Sequence, residues 1–336
     1  MNILSIDGGG VRGLIPGMVI VELEKRLGKP VSQLFDLIAG TSAGGHIALA
    51  LTAPDESGNP KWRALDLANF YREAYGRIFP ATGNRFLGAL RGITDERYSA
   101  EGIELVLEEI FGEVMLSEAL TEVLVTAFEV ESGQPHFFLR SEAKADKRLD
   151  HTMKFVARAT SAAPTYFEPA AKIGSDEKLA FIDGGVFANN PTMCGFAHAQ
   201  KLGFDEDEMT IVSIGTGAVS RELVYEEVRD WGLAHWARPI LDITAQAGNH
   251  AIDWQLNQIL RKGHYFRIQP MMSGMRSSLD DARPETVTAL EEVAKEVITQ
   301  NSESLDRICS LVTAAGDRPR VSPEDEQPSP KTTRLT

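Results

Sequence analysis

Cysteine is nearly missing from this chain: Cys194 and Cys309 are the only two in 336 residues. Two isolated thiols exclude a disulfide-stapled fold and offer no metal-ligand spacing, so they read as buried or incidental. Positive charge is also scarce. Lys and Arg number 34 against 48 Asp and Glu, a net charge of −14. That balance argues against a nucleic-acid polymer as partner and against broad adsorption on anionic membranes, so any lipid contact must be local. No run approaches the roughly 18 apolar residues needed to span a bilayer. The first residues enter a strand-like run at once, without the charged and apolar stretches of a secretory leader. These absences predict a cytoplasmic protein, bacterial in style and at most peripheral to a membrane.

With 43% hydrophobic residues the chain can bury a sizeable core. No internal repeat or linker interrupts it before residue 316, which predicts one domain over residues 1–316. Residues 317–336 turn to Pro, Ser, Thr and charge and read as a disordered tail.

Ser42 stands in Gly40-Thr41-Ser42-Ala43-Gly44, a G-x-S-x-G pentapeptide between an apolar run at residues 35–39 and a helix-like stretch at residues 43–52. A serine on a sharp strand-to-helix turn is forced outward, and Gly40 and Gly44 admit backbone approach that a Cβ would block. The helix aims its unpaired N–H groups and positive dipole end near the place where negative charge develops during acyl transfer. The pattern predicts a serine hydrolase.

A serine hydroxyl needs a base and a stabilised oxyanion. Strand-like Ile3-Leu4-Ser5-Ile6 runs into Asp7-Gly8-Gly9-Gly10-Val11-Arg12-Gly13. There Gly8, Gly9 and Gly10 are free to turn N–H groups inward at the start of a helix, and Arg12 can add charge or brace the loop. The same glycines fit G-x-G-x-x-G, but the second strand ends in Ala39-Gly40-Thr41-Ser42 instead of the acidic residue a dinucleotide's ribose requires.

For the base, His250 and His264 lie late enough in the chain, yet neither stands in a glycine turn at a strand end, and both read as structural. His46, one helical turn beyond Ser42, reads as packing. Asp183 does end a strand-like run, Leu179-Ala180-Phe181-Ile182, before Gly184 and Gly185. An aspartate of ordinary pKa about 3.9 works as a base only when close, oriented and desolvated. On residues alone, a turn cap remains its competing reading.

In this order, Asp7-Gly8-Gly9-Gly10-Val11-Arg12-Gly13, Gly40-Thr41-Ser42-Ala43-Gly44-Gly45 and Asp183-Gly184-Gly185 resemble the three signatures of patatin-like phospholipases. Ala157-Arg158-Ala159-Thr160-Ser161-Ala162-Ala163-Pro164 and Tyr265-Phe266-Arg267-Ile268-Gln269 are similar to supporting stretches of that family. The resemblance implies an α/β fold: a patatin-like three-layer α/β/α arrangement around a central, mostly parallel sheet, related to the α/β-hydrolase and cytosolic phospholipase catalytic folds. It implies a Ser42–Asp183 dyad without catalytic histidine, N–H groups of the Gly8, Gly9, Gly10 loop on the oxyanion with Arg12 nearby, and Gly184 and Gly185 turning the base. No cofactor and no metal are implied. The implied reaction is phospholipase A-type cleavage of glycerolipid acyl esters, with lipid as substrate and a transient membrane or micelle surface as partner. A soluble esterase, thioesterase or acyltransferase would use the same dyad. A regulated effector would stay silent until a protein or small-molecule activator bound.

Two further segments are candidates for the lipid entrance. Residues 77–93 are basic and apolar in an acidic chain, and Trp231, Leu233 and Trp236 combine aromatic and apolar character.

Overall fold

The structure is a computed structural model describing residues 1–80, 96–173, 178–218, 223–236, 239–272 and 278–316. Residues 81–93 of the segment read as an entrance cap and the tail at residues 317–336 lie outside the described residues.

Eight strands build one sheet: β1 (Asn2–Ile6), β2 (Leu37–Thr41), β3 (Glu122–Glu129), β4 (Gln134–Leu139), β5 (Ala170–Ile173), β6 (Lys178–Asp183), β7 (Thr210–Ile214) and β8 (Tyr265–Ile268). Their order is β5-β6-β3-β2-β1-β7-β8, with β4 paired to β3. From β3 through β2, β1 and β7 to β8 every pairing is parallel, whereas β4, β5 and β6 join antiparallel.

The central strands β1, β2 and β7 are buried along their whole length, as expected of parallel strands covered on both faces. Alternation sorts their side chains between two layers. Leu4, Ile6, Ile38, Val123, Val125, Val212 and Ile214 join the larger core, under α1 (Leu14–Leu27), α2 (Ala43–Thr52) and α3 (Ala64–Ile78). Ile3, Leu37, Ala39, Leu124 and Ile211 face Phe196 and Ala199 of the helix Thr192–Lys201 and Leu256 of the helix Pro239–Ile259. The result is the three-layer α/β/α arrangement.

Most local signals act where expected. Pro16 lies in the first turn of α1, and Gly28 closes that helix at φ 66°, its N–H donating to the Glu24 carbonyl at 2.8 Å. The short strand β5 carries no periodic signal of its own and forms because β6 offers it an antiparallel edge. Among the described residues no helix is long and apolar enough to cross a membrane.

Candidate active site

Strand register brings Ser42 and Asp183 together. β4 occupies one edge of β3 from Leu124 to Glu129, so β2 and β6 must share the other edge, end to end. β2, running parallel to β3, ends with Thr41 opposite Thr126, and β6, running antiparallel, ends with Asp183 opposite Ala127. The two strands run head-on into each other, and their ends deliver Ser42 and Asp183 to one point. There the Ser42 hydroxyl faces the Asp183 carboxylate, close enough to lower its pKa.

The turn at Ser42 is strained in the manner its motif predicts. Its φ of 54° and ψ of −125° lie outside the regions L-residues favour, a conformation that persists only when its surroundings enforce it. A Cβ at Gly44 would come within 2.2 Å of the Ile6 carbonyl oxygen, so only glycine lets α2 seat against the end of β1. A row of threonines, unflagged by the sequence reading, supplies the remaining restraint. Ser42 N–H donates to Thr160 Oγ1 at 2.8 Å, whose hydroxyl donates to the Thr126 carbonyl at 2.6 Å. Thr126 Oγ1 lies 2.7 Å from Thr41 Oγ1, which donates to the Ala188 carbonyl at 2.7 Å. Thr160→Val strands the Ser42 N–H and a buried carbonyl. It should cost about 1–3 kcal/mol of stability and lower kcat, as read from thermal unfolding and turnover.

Burial raises the Asp183 pKa to about 6, against the lowering effects of the Ser42 hydroxyl and the Gly185 N–H. The Gly185 N–H donates to Asp183 Oδ1 at 2.7 Å. Asp183 thus remains ionised at neutral pH while being a stronger base than a solvated carboxylate.

The glycine loop is fixed on both sides. Gly8 N–H donates to the Asn189 carbonyl at 3.0 Å, and the Gly8 carbonyl accepts from Thr216 Oγ1 at 2.7 Å. Val11 N–H donates to the Leu279 carbonyl at 2.9 Å, and Arg12 N–H to the Gly9 carbonyl at 3.1 Å. Among the described residues the N–H groups of Gly9 and Gly10 take no partner. Gly10 adopts φ +55°, and a Cβ there would lie 2.1 Å from the Leu279 oxygen. Leu279 is held through its neighbour: Asp280 Oδ2 accepts from Tyr98 at 2.7 Å and pairs with Arg97 at 2.7 Å.

Behind the loop lies a buried ion pair. Arg267 of β8 donates to both oxygens of Asp7, at 2.9 and 2.5 Å, and to Ser213 Oγ at 2.8 Å. Burial alone would lower the guanidinium pKa, but the Asp7 and Asp253 charges more than offset it, so Arg267 stays charged.

A cavity of about 440 Å³ opens onto Ser42, Asp183, Gly9, Gly10 and Arg12. Tyr75, Ile78, Phe79, Ile103 and Phe167 form an apolar wall; Thr244 and Asn249 of the helix Pro239–Ile259 face it with polar groups. Ile78 and Phe79 therefore belong to the cavity wall, and Arg77 pairs outward with Glu109.

Among the described residues none of His46, His250 and His264 hydrogen-bonds the serine hydroxyl. His46 lines the cavity, but its ring nitrogen Nε2 lies 3.1 Å from the Ala157 carbonyl and 2.6 Å from Ser161 Oγ. Burial holds its pKa at about 4, so it is neutral. His264 Nδ1 meets Thr210 Oγ1 at 3.2 Å, His250 is exposed, and neither lines the cavity. Trp231 and Trp236 pack on each other, ring centres 5.2 Å apart, away from the cavity lining; the side chain of Leu233 lies outside the described residues. Among the described residues no three His, Cys, Asp or Glu side chains gather in a group that could hold a metal ion.

The family model described as Patatin-like phospholipase matches residues 4–193, which contain all three glycine motifs. The chain belongs to the patatin-like phospholipase family. Patatin-like protein 2 of Oryza sativa subsp. indica is 31% identical, over 91% of this chain and 85% of that protein. Patatin-like protein 1 of Arabidopsis thaliana is 32% identical, over 89% of this chain and 81% of its own. The crystal structure of VipD from Legionella pneumophila aligns with a TM-score of 0.39 at 13% identity, covering 93% of this chain and 66% of that one. At the level of the family, this patatin-like chain is a lipid acyl hydrolase.

Proposed function

We propose that this patatin-like protein hydrolyses acyl esters of phospholipids or related glycerolipids, with Ser42 as nucleophile and Asp183 as its general base. The observation that carries the reading is the strained Ser42 turn set beside a buried carboxylate at the head of a largely apolar cavity. Asp183 takes the hydroxyl proton as Ser42 Oγ bonds to the ester carbonyl carbon. The oxyanion so formed faces the N–H groups of Gly9 and Gly10, the two left unspent in the loop, with the N-terminus of α2 and Arg12 adding positive potential. Collapse breaks the ester C–O bond, and the leaving alkoxide takes the proton from Asp183. Water, deprotonated in turn by Asp183, then attacks the acyl-serine, and Ser42 leaves with that proton as the fatty acid forms.

The test follows fatty-acid release from mixed phospholipid micelles, with chelator present, across pH. Only ionised Asp183 accepts the proton, so kcat/KM should rise through an apparent pKa of about 6 and level off above it. A flat profile between pH 5 and 7, or silence on every lipid ester offered, would count against the reading.

A further inference from the structure

Val186 and Phe187 follow Asp183 in the short helix Gly185–Ala188, and both line the cavity. Each is also open to solvent, at 48% and 38% of its surface. Phe137 of the edge strand β4 is 36% exposed and meets Phe187 edge-on, ring centres 5.8 Å apart. Strand alternation puts Phe137 on the face opposite Phe138, which packs on Phe181 at 5.2 Å; on that face Leu139 is covered by the second core, whereas Phe137 is left exposed. The outward face of an edge strand ordinarily carries a polar residue. Here it extends an apolar patch begun by residues beside the candidate base, and contiguous exposed apolar surface of this kind marks an interaction site.

We propose that Phe137, Phe187 and Val186 form the rim on which the protein seats on a lipid surface of low net charge, so that an acyl chain passes into the cavity without crossing water. The inference rests on the lipid-hydrolase reading above. The occupant follows from continuity, because Val186 and Phe187 belong to both rim and cavity wall. Whatever covers the rim covers the mouth; a protein seated there would close Ser42 off, whereas a lipid surface delivers substrate. Charge selects the kind of surface. A chain of net charge −14 is repelled by anionic headgroups, so adsorption must come from apolar burial and should resist salt.

The experiment compares wild type, Phe137→Ser and Phe187→Ser by co-sedimentation with phosphatidylcholine vesicles, and by the ratio of vesicle hydrolysis to p-nitrophenyl acetate turnover. Phe137 does not line the cavity, so its substitution separates adsorption from acyl binding. Each variant should lose about tenfold in vesicle affinity, and Phe137→Ser, which leaves the cavity wall intact, about tenfold in that ratio as well, an effect within reach of one apolar side chain withdrawn from lipid. Wild type should bind phosphatidylcholine vesicles more tightly than vesicles enriched in anionic lipid. Unchanged affinity and ratio in both variants would overturn the proposal. So would self-association abolished by Phe137→Ser without any vesicle binding, which would assign the patch to a second copy. Rim-dependent binding without lipid hydrolysis would uphold the rim and remove the lipid-hydrolase reading instead.

Discussion

Ser42→Ala and Asp183→Asn are each expected to lower fatty-acid release on the order of 10⁴-fold, the scale seen when a member of a nucleophile–base unit is removed. The double variant should be little worse than either single one, because the two groups act on one proton. His250→Gln and His264→Gln should retain wild-type turnover, since neither histidine reaches the cavity. Asp183→Asn turning over at near wild-type rate would sink the dyad.

The same substitution should have an opposite effect on stability. Burial raises the Asp183 pKa to about 6 from an ordinary 3.8, so the folded state binds this proton more tightly than the unfolded chain does. Between those values stability therefore falls as pH rises, by about 3 kcal/mol once Asp183 is fully ionised. Asparagine resembles the neutral acid. Asp183→Asn should be more stable than wild type above pH 6, and the gain should vanish below pH 4. Denaturant unfolding of both proteins at pH 4 and pH 8 checks the sign.

Arg267→Leu is expected to destabilise the fold by about 3–5 kcal/mol, because it leaves Asp7 buried without its countercharge. Asp7 is 1% exposed and Arg267 10%, so water cannot replace the partner. Arg267→Lys should recover only part of the loss, since an ammonium cannot bind both carboxylate oxygens. The double variant Asp7→Asn, Arg267→Leu should be more stable than Arg267→Leu alone, because removing the stranded charge removes the main cost. Urea unfolding distinguishes the outcomes, and equal stability of Arg267→Leu and wild type would show that the pair contributes nothing. Asp7 opens the glycine loop, so Arg267→Leu should also lower kcat by loosening the N–H groups of Gly9 and Gly10.

Much of the candidate site's local geometry was legible residue by residue. A glycine beside a strand end announces a close backbone approach, and Gly10, Gly40 and Gly44 each meet backbone where a Cβ would sit. Ser42 could be placed on a turn because its strand and helix flank it in sequence. The threonine row could not be read, since Thr41, Thr126 and Thr160 lie on separate elements and threonine is unremarkable in any of them. Arg267 was visible only as part of a stretch resembling the family; its partner Asp7 lies at the opposite end of the chain. Gly8, Gly9 and Gly10 are interchangeable as letters, and only the surrounding carbonyls show that Gly8 has already spent its N–H on Asn189.

By itself the sequence determined what depends on neighbours in the chain: the buried parallel strands, the strained serine turn, the glycine loop and the acidic surface. Tertiary structure decided what depends on register. Two strands meeting head-on along one edge of β3 bring the Asp183 carboxylate to Ser42, and the packing of β8 gives Asp7 its guanidinium. A one-residue slip in either pairing would send those side chains to the opposite face of the sheet. Packing of the whole sheet, which no local stretch encodes, holds the register.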